Sequence, residues 1–145
     1  MILSAFQKFS ADQAILATAI STNVIDLGVA GTPFLGTAPL NQDIGKGTYV
    51  PILIQVTEDF NTLTSLTVTL ETSDSADLTS STVLATEVIA LADLVAGKQT
   101  FMQYLPNGVT GRYLGLRYTV TGTPPTLGTI VAGISMGNQT NLTGA

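Results

Sequence analysis

Histidine, cysteine and tryptophan are absent from these 145 residues, and only 10 % of the side chains are charged. Each absence removes a class of chemistry. Without histidine or cysteine there are no Ser-His or Cys-His nucleophile pairs and no imidazole or thiolate metal sites. Without cysteine there is also no disulfide framework, so packing and hydrogen bonds must hold the fold, and cysteine usage says nothing about compartment. The five Lys and Arg stand apart at 8, 46, 98, 112 and 117 in a chain of net charge −5. No basic stripe is available to neutralise phosphates, so no nucleic-acid partner is expected. No apolar run reaches the ~18 residues that cross a bilayer as a helix, so a soluble protein with no membrane partner is expected.

The carboxylates leave one catalytic design open on paper. Asp26, Asp43, Glu58, Asp59, Glu71 and Asp93 could supply a glycosidase-type pair, but nothing places two of them at a working separation. Each serves equally well as a turn, cap or surface residue. Gly45, Lys46, Gly47 and Thr48 have the composition of a phosphate loop without its spacing, because position 40 is Leu and position 47 is Gly. Asp74 and Asp77 lack the alternate ligands, central glycine and distal Glu of a calcium loop, and are expected to bond nearby backbone amides instead. No enzyme activity, metal or cofactor is expected.

What the chain does have is alternation. Leu66, Val68 and Leu70 alternate with Thr67, Thr69 and Glu71, the period of a half-buried strand. Residues 112–136 repeat the pattern twice. Leu114, Leu116, Tyr118 and Val120 share one face, then Ile130, Ala132, Ile134 and Met136 share another, with Gly122, Pro124, Pro125 and Gly128 breaking the chain between them. The expectation is a hairpin of two antiparallel strands. Further strands are expected at 21–27, 50–56, 83–89 and 99–105, with one helical turn at 91–97 ended by Gly97. Seven or eight short strands separated by turn signals predict an all-β protein, an antiparallel β-sandwich or jelly roll. The predicted core is Leu66, Val68, Leu70, Leu114, Leu116, Tyr118, Val120, Ile130 and Ile134.

Three segments fall outside this pattern. Residues 1–20 are expected to form an N-terminal arm, extended or short-helical, since Ser10 and Gln13 have capping-box spacing. Residues 21–137 are expected to be the domain, and 138–145 a polar tail. Residues 28–48 hold five glycines and two prolines and predict one long loop. Phe34, Leu35 and Leu40 in that loop either reach a partner or fold back over the core. Phe6 and Phe9 in the arm either form one helical face in the core or plug into a neighbouring subunit. These five are the candidate interface residues. The scarcity of charge is consistent with a surface buried against other chains, and equally with a Thr-rich β surface that needs few charges.

In order and spacing, MILSA at 1–5, STNVIDLG at 21–28, TVTLETSD at 67–74, and RYL at 112–114 through YTVTG at 118–122 to Gly128 and Gly133 resemble the capsid cement, or decoration, proteins of tailed bacteriophages. The resemblance spans most of the chain without offering a residue-level functional motif. It implies a jelly-roll domain on the outer surface of a phage head. Such a domain binds the major capsid protein, associates with itself as a dimer or trimer at symmetry axes, and staples capsid subunits together. Two other functions suit a β-sandwich: carbohydrate or host adhesion, and a structural place in a tail or baseplate. Sugar sites usually display aromatic platforms, and this chain has no Trp and four Tyr.

Overall fold

A computed structural model describes residues 3–29, 31, 34–37, 49–99, 102–107 and 109–137. Eight strands run through it: β1 Leu3–Ala14, β2 Ala19–Ile20, β3 Ile25–Asp26, β4 Ile52–Glu58, β5 Leu63–Ser73, β6 Thr82–Ala90, β7 Tyr113–Gly122 and β8 Thr129–Ser135. All named pairings are antiparallel. One sheet has the order β1-β8-β4, and isolated bridges from Gln99 and Tyr104 to Gln55 and Pro51 lie beside β4. The other has the order β2-β7-β5-β6, with β3 also on β7. Because β2 and β3 both pair with β7, they share one strand position. Counting the bridged segment as a fourth position, successive strands switch sheets except across the β5–β6 hairpin. This is jelly-roll connectivity.

The alternation seen in sequence becomes the core. On β5 and β7 the register sets Leu66 against Val120, Val68 against Tyr118 and Leu70 against Leu116. Cross-strand neighbours therefore bury together. Ile52, Ile54 and Val56 on β4 and Ile130 and Ala132 on β8 meet them from the opposite sheet. Val120 and Ile134 are half-buried and pack against this cluster from its margin.

A buried polar chain joins the sheets. The Tyr118 hydroxyl lies 2.8 Å from Ser10 Oγ, and Ser10 Oγ donates to Gln13 Oε1 at 2.7 Å. Ser10 has a single hydrogen, so Tyr118 is the donor in its bond to Ser10. Burial pushes the phenol's pKa up, only partly offset by Ser10, so it stays protonated. Gln13 then donates to the Ile20 carbonyl and accepts from the Thr22 amide. The Ser10–Gln13 spacing is thus used inside a strand, where Asp12 adopts φ 50°, and not in a helix cap.

Three expectations are corrected. Residues 3–14 are not an arm, since β1 is the edge strand of a sheet and pairs with β8 from Leu3 to Ala14. The hairpin expected within 112–136 does not form, because β7 and β8 lie in different sheets and 123–128 crosses between them. Of the strand expected at 99–105, only isolated bridges occur among the described residues. The turn after β6 is a short 3-10 helix, Leu91–Asp93. The 138–145 tail lies outside the described residues.

The crossing loop depends on one glycine. A Cβ on Gly128 would sit 2.4 Å from Phe60 Cδ1 and Cγ, and Gly128 holds φ +129°. Phe60 is buried, so its ring has nowhere to move. Gly128→Ala is expected to cost about 3 kcal/mol from overpacking and backbone strain together. Thermal melting would show this, with Gly137→Ala as the unaffected control because its Cβ meets nothing within 4 Å.

Candidate interface

The connections 59–62, 91–98 and 123–128 are short and close one end of the sandwich. The other end carries the start of β1, the end of β8, the end of β3, the start of β4, and the described residues of the connections 74–81 and 105–112. Bridges tie it together: Leu3 pairs with Ser135, the Ser135 amide donates to the Pro51 carbonyl, and Pro51 bridges Tyr104.

The exposed apolar groups are distributed unequally. Phe6, Val29, Phe34, Leu35, Tyr49 and Met136 are between 76 and 94 % exposed, and Phe6, Val29, Tyr49 and Met136 belong to this open end. Phe6 is there because β1 takes five steps between Leu3 and Lys8 while β8 takes two, which throws the intervening residues out of the ladder. Tyr49 meets Tyr104 edge to face with centroids 5.5 Å apart. The next most exposed large apolar side chain is Val88, at 64 %, on the β6 edge.

Of the candidate interface residues, Phe6 is thus exposed at the open end, and Phe34 and Leu35 are exposed as well. Phe9 is corrected to core, with no exposed surface. The interrupted register of β1 leaves Phe6 outside the ladder, while Phe9 turns into the core. Leu40 lies outside the described residues, as do most of 28–48. Met136 and Tyr49 were not singled out by pattern: Met136 continues the buried phase of β8 but lies just past its end, and Tyr49 precedes β4.

A groove of about 260 Å³ opens at this end between Leu27, Val29, Asp74, Thr110 and Arg112. A second, of about 240 Å³, adjoins it through Asp74, Thr110 and Gly111 and is walled by Thr72, Ser73, Ser80 and Thr82. The Arg112 guanidinium is committed elsewhere, gripping both Asp26 oxygens at 2.8 and 2.7 Å. That grip, helped by the Gly28 amide, holds the Asp26 carboxyl down to about 2. Asp74 accepts the Arg112 amide at 3.3 Å, and Asp77 accepts the Thr79 amide at 3.0 Å, the backbone use expected for both. Hydrogen bonds from Ser75 and Thr79 keep the Asp77 carboxyl below its ordinary range.

Among the described residues no group of three or more metal-ligating side chains comes together, and no helix is long and apolar enough to cross a membrane. What this end offers is contact surface: apolar side chains around an acidic, hydroxyl-lined groove.

A model of the Bbp16 family matches residues 9–134. The chain belongs to the Bbp16 family. The family is phage-related. The match to the Bbp16 family takes in both sheets, from Phe9 in β1 to Ile134 in β8, and leaves Phe6 and Met136 beyond its limits. No curated protein matches the chain.

Proposed function

We propose that this chain is a structural virion protein that binds the outer surface of a phage head and staples major capsid protein subunits together. The observation that carries this reading is the gathering at one end of a jelly roll of Phe6, Val29, Tyr49 and Met136, four of the six most exposed large apolar side chains among the described residues. An apolar surface left in water is unfavourable, and covering it recovers about 25 cal/mol per Å² less the ordering cost of association. Contacts of modest strength repeated over a shell add up to a large effect on the particle. The phage-related family, and the charge-poor composition that leaves few groups to desolvate, point the same way.

Heads assembled without this chain are expected to rupture at a lower temperature than complete heads, and adding back the purified protein is expected to restore them. Differential scanning calorimetry of heads with and without it provides the comparison. Equal melting temperatures and equal survival of osmotic shock would rule out a cementing role.

A further inference from the structure

We propose that the open end is the surface that faces the shell, and that the groove beside Asp74 receives a Lys or Arg side chain of the shell protein. This rests on the capsid-binding reading above.

The connections that frame the groove, 74–81 and 105–112, carry Asp74, Asp77 and Arg112 as their charged residues. Arg112 is neutralised by Asp26, which leaves the groove acidic. Among the described residues Asp74 meets only the Arg112 amide, so its carboxylate has acceptor capacity and no cation. Thr110 and Gly111 supply further oxygens beside it, and Leu27 and Val29 provide apolar wall for the stem of a long side chain. An ammonium or guanidinium group on an aliphatic stem fits that lining. Phe6, Tyr49 and Met136 at the same end supply further apolar contact to the shell. A second copy of this chain is the poorer occupant. The connections that frame the groove carry no cation but Arg112, already held by Asp26, so the same connections of a second copy have none to offer Asp74.

The test uses heads of the phage that encodes the chain, purified from a lysate in which its gene is disrupted, and co-sedimentation with added protein. Asp74→Asn keeps an oxygen for the Arg112 amide but loses the charge. It is expected to bind about tenfold more weakly at low salt and to lose most of the wild-type salt dependence, with an unchanged melting temperature. Phe6→Glu is expected to weaken binding by about tenfold or more, while Leu127→Glu at the opposite end leaves it unchanged. Wild-type affinity and salt slope in Asp74→Asn would overturn the cation assignment. Equal loss in Leu127→Glu would overturn the choice of end. A change of oligomeric state in Phe6→Glu, read by sedimentation velocity, would assign the end to self-contact instead. Wild-type protein that fails to sediment with heads would overturn the cement reading itself, a result separate from any effect of the variants.

Discussion

Leu116→Asp is expected to yield no folded protein. Leu116 is wholly buried on β7, a strand flanked on both sides, where it packs beside Leu70. Its backbone is pinned as well, since its amide donates to Ser21 Oγ and its carbonyl accepts the Ser21 amide. A carboxylate there can neither reach water nor find a cation, and the alternative of taking up a proton still leaves a polar group among apolar ones. The cost exceeds about 5 kcal/mol, comparable with the whole stability of a domain of this size. Leu116→Ala, which leaves a cavity but no charge, is expected to stay folded and lose about 2–5 kcal/mol. Met136→Asp, on an exposed side chain, should change stability little. Far-UV circular dichroism and gel filtration separate the three. A Leu116→Asp variant that remained folded but no longer bound heads would place Leu116 on an interface and remove it from the core.

The same strand shows how much period-two patterning can carry. Leu114, Leu116 and Tyr118 alternate so regularly that their burial follows from the sequence, as does that of Leu66, Val68 and Leu70, because one face of a strand must meet the other sheet. Alternation says that a strand exists without saying which strand it pairs with. Two strands joined by the six residues 123–128 invite a hairpin, yet β7 takes β5 and β2 as neighbours and β8 takes β1 and β4. That choice is made by the whole topology and leaves no local mark. Strand β1 hides from a pattern search for a different reason. Register shifts between Leu3 and Lys8, Lys8 and Ser10, and Ser10 and Gln13 scramble its alternation, so its 12 residues look like an irregular arm.

The candidate interface was legible only in part. Phe34 and Leu35 could be suspected because large apolar groups in a Gly- and Pro-rich connection have few regular places to go. Phe6 could be told from Phe9 only once the register of β1 was known, since Phe6 lies where the ladder is interrupted between Leu3 and Lys8 and Phe9 turns into the core. The gathering of Met136, Tyr49 and Val29 with Phe6 comes from strand ends that are far apart in sequence, and it becomes visible only when β1, β4 and β8 are laid side by side. Asp74 gave no signal beyond that of an ordinary turn residue. Its lack of a cation among the described residues depends on Arg112 having been taken by Asp26, 86 residues away.

Glu71→Ala is expected to be the most damaging removal of a polar side chain. Glu71 lies on the outer face of the second sheet, yet its side chain is only 4 % exposed, because the connection after β5 folds back over it. Its carboxylate takes Arg117 Nε at 2.9 and 3.1 Å, Thr69 Oγ1 at 2.7 Å and Ser81 Oγ at 2.6 Å. Arg117 also donates to the Leu78 carbonyl, and Leu78, at φ 55° and fully buried, fills the space that a side chain at Gly115 would need. Truncating Glu71 leaves a cation and two hydroxyls without their acceptor. Arg117 is one-third exposed and can recover some hydration, so the loss is set at about 2–4 kcal/mol, at the lower end for a broken buried pair. Glu71→Gln, which still accepts from the hydroxyls, should lose about 1–2 kcal/mol. The two effects also differ in their pH dependence. Burial pushes the Glu71 carboxyl up, but the bonds from Arg117, Ser81 and Thr69 together outweigh it and hold the folded-state pKa below the ordinary 4.5. A carboxyl held low when folded contributes stability that is fully present above 4.5 and is lost as pH falls through the folded value. The gap between wild type and Glu71→Gln in urea unfolding should therefore be widest near pH 7, begin to close below about 4.5, and nearly vanish once Glu71 is protonated in the folded protein. A gap of constant size from pH 7 to pH 3 would mean that the ionised carboxylate is not what holds the connection to the sheet.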